Sequence, residues 1–226
     1  MGRISEMCKS SQLVFICLLV FLAELPSSRA QGSAKDSGEI RELRAEAESG
    51  DAAAQHRLGN KYRLGQGVEK DLAVAVDWYR KAAEQDYGDA QYNLAVSYRK
   101  GLGVLKSPTE AVRWYRAAAN LGHPQAQGTL GVMYINGDGV DLNYEEAARW
   151  FLMAAKQNDI QAQYFLGNMY IAGDGVPLDP SRAYFWLGIA AAQGADQASP
   201  KLRQLEEEMS KQQLENVRQE LEKLGF

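Results

Sequence analysis

The chain repeats itself at one fixed interval, and that interval restricts its fold more than any other property. "LGNKYRLGQGV" runs from Leu58 to Val68, "LAVSYRKGLGV" from Leu94 to Val104, "LGVMYINGDGV" from Leu130 to Val140 and "LGNMYIAGDGV" from Leu166 to Val176. Leu58, Leu94, Leu130 and Leu166 are each 36 residues apart, as are Tyr62, Tyr98, Tyr134 and Tyr170, so no insertion breaks the register. All four tryptophans, Trp78, Trp114, Trp150 and Trp186, keep the same spacing, and Ala82, Ala118, Ala154 and Ala190 follow four residues later. Such a period belongs to a solenoid, in which each supersecondary unit buries its apolar face only by stacking on its neighbours. The predicted fold class is therefore all-α, a solenoid of stacked antiparallel helix pairs.

Within one unit Ala162, Leu166 and Tyr170 recur every four residues and predict one stripe of a first helix. Gly167 lies beside that stripe, with Gly59, Ala95 and Gly131 as its equivalents, and this small residue predicts the close approach of another helix backbone. Gly-x-Gly-Val then ends the helix with residues that accept positive φ. Asp71, Ser107, Asn143 and Asp179 have side-chain oxygens suited to capping a second helix, and Ser107 with Glu110 predicts a capping box. Pro108 and Pro180 fit the first helical position. The second helix carries Ala75, Trp78, Tyr79, Ala82 and Ala83 and their equivalents on its buried face. It stops at Asp86, Gly122, Asn158 and Gly194, types that tolerate a left-handed backbone.

Gly50 belongs to the same series, so "EIRELRAEAES" from Glu39 to Ser49 reads as the second helix of a truncated leading unit. The organisation expected is a segment 1–30 discussed below, a linker and leading capping helix over 31–52, four repeats over 53–194 and polar capping helices over 195–226. Ala198 and Leu202 keep the register into the tail, which is otherwise rich in Glu, Gln and Lys.

The succession of Ala, Leu-Gly, Tyr, Gly-x-Gly-Val, Asp, Ala, Trp-Tyr and Ala-Ala resembles the Sel-1-like repeat family, close to letter for letter in "AQYFLGNMYIAGDGV" and "AVDWYRKAA". The resemblance covers about Ala53 to Gly194. It implies a superhelix like that of tetratricopeptide repeats and the work of an adaptor or scaffold, whose partners differ from member to member. Some members are associated with β-lactam or peptidoglycan chemistry, which leaves a cell-envelope factor or enzyme as the alternative. The cysteine-rich members carry that association.

Arg3 and Lys9 precede an apolar run from Leu13 to Ala23, and Ser28-Arg29-Ala30 offers small residues for cleavage. This is the plan of a secretory signal peptide, so residues 1–30 are expected to be removed and Gln31 to become the first residue. Both cysteines, Cys8 and Cys17, lie in that segment, and an exported chain without thiols excludes a disulfide framework and cysteine catalysis. The family and the short signal segment favour a bacterial periplasm or full secretion. After signal cleavage no membrane insertion is expected. The net charge of −4 argues against nucleic acid, and the 46% hydrophobic content suits a sizeable core.

Catalytic groups must converge at one place, whereas repeat positions are copied along an axis. His56 and His123 fall at different repeat positions with no partner pattern around either, and Asp138 and Asp174 each offer a single carboxylate where a calcium loop needs several. No catalytic residue, metal site or cofactor is predicted. The partner is expected to be a protein or peptide, held on the first helices. With Leu58 at zero and about 100° per residue, Ala54, Gln55 and Tyr62 fall on the core side. Ala53, His56, Asn60, Arg63 and Leu64 fall opposite, and these vary between copies. Since first helices line the concave surface of such solenoids, the predicted groove comprises His56, Asn60, Arg63, Tyr92, Val96, Arg99, Lys100, Val132, Ile135, Tyr164, Asn168 and Ile171. Its first half is basic through Arg63, Arg99 and Lys100, and its second half is apolar through Val132, Ile135, Tyr164 and Ile171. It suits a peptide with an acidic and a hydrophobic end, unless the protein's own tail covers the apolar half.

Overall fold

Four caps of one kind begin the second helices. Asp71 accepts from the amides of Ala73 and Val74, Ser107 from Glu110, Asn143 from Glu146 and Asp179 from Arg182. In the computed structural model, which describes residues 37–226, these caps open α3 (Leu72–Ala83), α5 (Pro108–Asn120), α7 (Tyr144–Lys156) and α9 (Pro180–Ala192). The capping box at Ser107 is only half formed, because the Glu110 carboxylate pairs with Arg113 at 3.3 Å instead of turning back. The first helices are α2 (Ala52–Leu64), α4 (Gly88–Lys100), α6 (Pro124–Asn136) and α8 (Ile160–Ala172), each of 13 residues. A leading helix, α1 (Gly38–Glu48), precedes them, one residue earlier than its predicted span. The described residues contain no strand. The expected signal segment 1–30 lies outside the described residues.

Each first helix packs on the second helix of its own unit and on the second helix of the unit before, giving a stack of neighbours in chain order. Gly65, Gly101, Gly137 and Gly173 end the first helices with φ of 66–76°, as expected. The second glycine of the turn has another reason to be glycine. A Cβ on Gly103 would lie 2.1 Å from the Leu72 carbonyl oxygen and one on Gly139 2.4 Å from the Pro108 carbonyl carbon, so each turn rests against the start of the preceding second helix. The small residue inside the first helix marks a close approach of the second helix, whose Ala75 and Ala183 carbonyl oxygens would stand 3.2 and 3.3 Å from a Cβ on Gly59 and Gly167. A Cβ on Gly59, Gly131 or Gly167 would meet the side chain of Tyr79, Phe151 or Leu187 within 2.8 Å, whereas backbone oxygens of the second helix stand farther off. Side chains, more than a helix backbone, occupy that space.

Trp78 and Trp150 are buried, but Trp114 and Trp186 are only half-buried, so the tryptophan ladder is not uniformly core. Two buried clusters run along the stack, and Tyr98 and Trp114 pack against both. Continuity of the core therefore passes through unit 2.

A buried amide recurs in every unit. Gln55, Gln91, Gln127 and Gln163 donate from Nε2 to the carbonyls of Ala47, Ala83, Ala119 and Ala155, at 3.0–3.2 Å, each at the end of the preceding second helix. In three units the glutamine oxygen accepts in turn from Gln85, Gln157 or Gln193. At the equivalent position beside Gln91 stands Leu121, and the buried Oε1 of Gln91 has no hydrogen-bond partner among the described residues. The tail continues the stack in altered form. A 3-10 turn at Asp196–Ala198 and α10 (Ser199–Glu208) occupy the register of a fifth first helix, and α11 (Lys211–Lys223) folds onto α9. Tyr184 and Arg218 both donate to Glu206, at 2.7 and 2.6 Å, and join the three helices.

The Leu121 position gives a direct test of the amide ladder. Leu121 is 55% exposed, so Leu121→Gln removes no core side chain, and the new amide can donate to Gln91 Oε1. We expect a gain of about 1 kcal/mol in chemical denaturation, the value of one satisfied buried hydrogen bond.

Candidate partner-binding face

Neighbouring first helices meet along the face on which the variable positions lie. His56 Nε2 is 3.1 Å from Asn60 Nδ2 and 2.8 Å from Asn93 Nδ2 on the next first helix, so it accepts both bonds when its proton is on Nδ1. Asn60 Oδ1 accepts from the Tyr79 hydroxyl at 2.8 Å, and Arg63 Nε donates to the same hydroxyl at 3.2 Å. In unit 2 Tyr92 stacks on His123 at 4.6 Å, and the Arg99 guanidinium stands 5.7 Å over the Tyr115 ring. In unit 4 Asn168 Nδ2 donates to the Tyr164 carbonyl at 2.9 Å, and Tyr164 meets Phe165 edge-on.

Of the twelve groove residues, Arg63 and Lys100 are exposed and the other ten are half-buried. Val96, Val132, Ile135 and Ile171 pack on the margin of the core. Packing between units thus limits part of this face, contrary to the expectation that it leaves these positions free. α10 and α11 both pack on α9.

Three of the twelve, Tyr92, Arg99 and Val132, are brought together at one cleft of about 310 Å3, with Gly128 at its base and Phe151, Asp159 and Phe165 in its walls. The last three were not foreseen. Phe165 could have been noticed, since its equivalents Arg57, Asn93 and Thr129 are all polar. Asp159 reads from sequence only as a loop residue. Larger clefts lie elsewhere, of about 580 Å3 between Leu152, Trp186 and Val217, about 460 Å3 between Val112, Arg116 and Val140, and about 450 Å3 between Glu39, Glu46, Arg57 and Lys61.

Neither histidine stands in a catalytic arrangement. His123 is the N-cap of α6, its Nδ1 accepting from the Ala126 amide at 3.2 Å, while Nε2 is 3.5 Å from Asp89. Asp51 and Asp159 hold the same post in units 1 and 4 with carboxylates. Burial lowers the pKa of both His56 and His123, and the Asp89 carboxylate opposes the shift in each. Among the described residues no group of three or more His, Cys, Asp or Glu could hold a metal ion, and no helix is long and apolar enough to cross a membrane.

The Sel1 repeat pattern matches residues 52–87, 88–123, 124–159 and 160–194, one match for each helix pair. The chain belongs to the Sel1 repeat family. The secretory immunoglobulin A-binding protein EsiB of Escherichia coli O6:H1 is 42% identical over 76 residues, 34% of this chain and 14% of that protein. Two crystal structures share the fold. A protective antigen present in uropathogenic Escherichia coli strains matches with a TM-score of 0.70 and 44% identity, over 72% of this chain and 35% of its own. A Sel1 repeat protein from Oxalobacter formigenes matches with a TM-score of 0.69 and 39% identity, over 72% of this chain and 67% of its own. The chain thus spans only a minor part of the two Escherichia coli relatives.

The histidine cap makes stability depend on pH. A folded pKa below the ordinary value of about 6.5 means that the unfolded chain binds more protons. The associated stability is complete above that value and is lost as pH falls through the folded pKa. His123→Asn retains a capping side chain without the titration. Compared with wild type, its urea midpoint is expected to be better preserved between pH 7.5 and pH 5.

Proposed function

We propose that the protein is an exported, noncatalytic scaffold that holds a protein or peptide partner on the face formed by its first helices. The observation that carries this is the cleft at Gly128, where Tyr92, Arg99 and Val132, drawn from two different units, line one open space. A stack of units places such positions side by side, so a single extended partner can touch several of them. The basic end at Arg63, Arg99 and Lys100 and the apolar end at Ile135, Tyr164 and Ile171 favour a peptide of matching polarity.

Kinship supports a docking role. One relative is named for binding secretory immunoglobulin A and another is described as a protective antigen. Export of this chain rests on its own first thirty residues. Intact mass of the protein recovered from the periplasm or medium is expected to correspond to a chain starting at Gln31. A mass that retains Met1 to Ala30 contradicts signal cleavage.

Partner capture from the envelope fraction, followed by variants, tests the face. Arg99→Glu reverses charge at the basic end, and Tyr164→Ala removes a half-buried ring from the apolar end. Each is expected to weaken binding at least tenfold, whereas Lys156→Glu, on the second-helix side, leaves it unchanged. Binding that tolerates both face variants with the helical circular dichroism intact, but fails with Lys156→Glu, assigns the docking surface to the cleft beside α11.

A further inference from the structure

Units 1 and 2 each build a row of three rings. In unit 1 His56 lies between Tyr79 of the second helix, 5.8 Å away, and Tyr87 at the start of the next unit, 5.3 Å away. In unit 2 Tyr92 lies between Tyr115 at 5.7 Å and His123 at 4.6 Å. The same three positions in unit 3 are Phe151, Gly128 and Asp159. The middle ring is absent, and the outer wall is a carboxylate. Phe165 stacks on Phe151 at 5.1 Å and closes part of the gap, yet about 310 Å3 stays open.

Internal packing does not require this glycine. A Cβ on Gly128 would meet Asp159 Oδ2 at 3.5 Å, an ordinary contact, whereas at Gly59, Gly131 and Gly167 the nearest side-chain atom would be 2.6–2.8 Å away. Glycine inside a helix also costs stability relative to alanine. So α6 carries a destabilising residue at a first-helix position where the other three units hold a ring, His56, Tyr92 or Tyr164, and the result is an open slot.

The polar groups in its walls indicate what enters. Asp159 Oδ1 caps α8 by accepting from the Ala162 amide at 2.8 Å, and no described residue donates to Oδ2. Arg99 lines the other side and forms no ion pair with a described residue. The open volume of about 310 Å3 exceeds that of one aromatic side chain. A donor on such a ring would satisfy the carboxylate oxygen, and an acidic neighbour would satisfy the guanidinium. A lysine side chain would meet the charge of Arg99, and a purely apolar side chain would bury Asp159 without a partner.

We infer that the slot at Gly128 binds one tyrosine or tryptophan side chain of a partner peptide, its O–H or N–H donating to Asp159 and an adjacent carboxylate meeting Arg99. This deepens the scaffold function proposed above and rests on it.

The test pans a random heptapeptide library against the full chain and measures synthetic versions of the enriched peptides on three proteins. Wild type is expected to select tyrosine or tryptophan beside aspartate or glutamate. Gly128→Tyr, which refills the slot from within, should weaken these peptides at least tenfold with a thermal midpoint no lower than wild type. Asp159→Asn keeps a helix cap but replaces an acceptor with a donor; an indole N–H can only donate, so tryptophan peptides should weaken at least tenfold while their phenylalanine analogues bind as to wild type. This second variant decides the matter if Gly128→Tyr does not fold. Selection of peptides without aromatics, or no selection, overturns the inference. Peptides that bind Gly128→Tyr as well as wild type but are lost with Tyr164→Ala overturn it while leaving the scaffold function in place. Self-association of wild type that Gly128→Tyr abolishes assigns the slot to a second copy of the chain and overturns it as well.

Discussion

A glutamine amide inside each first helix holds the stack in register. The second helix of every unit ends at a residue that reverses the chain, Gly50, Asp86, Gly122 or Asn158, all with positive φ. That reversal leaves the carbonyls of Ala47, Ala83, Ala119 and Ala155 with a single turn amide as donor, at 3.0–3.2 Å, and room for a second. Gln55, Gln91, Gln127 and Gln163 reach those carbonyls from the following first helix. Apolar contacts supply most of the attraction between units, but they are tolerant of sliding. A directional bond from a buried amide is satisfied in one register only.

The fixed register explains why the candidate site can vary. Leu58, Leu94, Leu130 and Leu166 are all fully buried, and they repeat because every unit solves the same packing problem. The junction between successive units has no such common solution. His56 is matched with Asn93 there, Tyr92 with His123, and Phe151 with Phe165. Each interface is a local settlement between two units, so the surface changes along the axis while the backbone does not. A scaffold built this way can alter what it binds without altering its fold.

The helix pairs, their caps and their turns were legible in the sequence because Leu, Tyr, Gly-x-Gly and the capping residues recur without slippage over four copies. Periodicity placed Gln55 on the core side, but it could not show why a polar residue belongs there, since the bond is to a carbonyl eight residues earlier across a turn. The cleft was legible only in part. Tyr92, Arg99 and Val132 lie on the face that angular position selects, whereas Phe165 and Asp159 reach it from the edge and the N-cap of α8. Their arrival depends on the distance between adjacent units, which a helical projection of one unit does not contain. The same limit applies to Trp114 and Trp186, whose repeat position matches that of buried Trp78 and Trp150 but whose neighbours do not cover them.

Urea unfolding of Gln127→Met tests the register claim most directly. Methionine keeps the length and the apolar stem of the side chain, and it removes both the bond to the Ala119 carbonyl at 3.0 Å and the acceptor used by Gln157 at 2.8 Å. The Ala119 carbonyl keeps the Gly122 amide at 3.0 Å and Gln157 is exposed, so the expected result is a loss of about 1 kcal/mol, the net value of the hydrogen bonding removed. An unfolding midpoint and slope equal to wild type would contradict the account, since shape alone would then hold one unit upon the next.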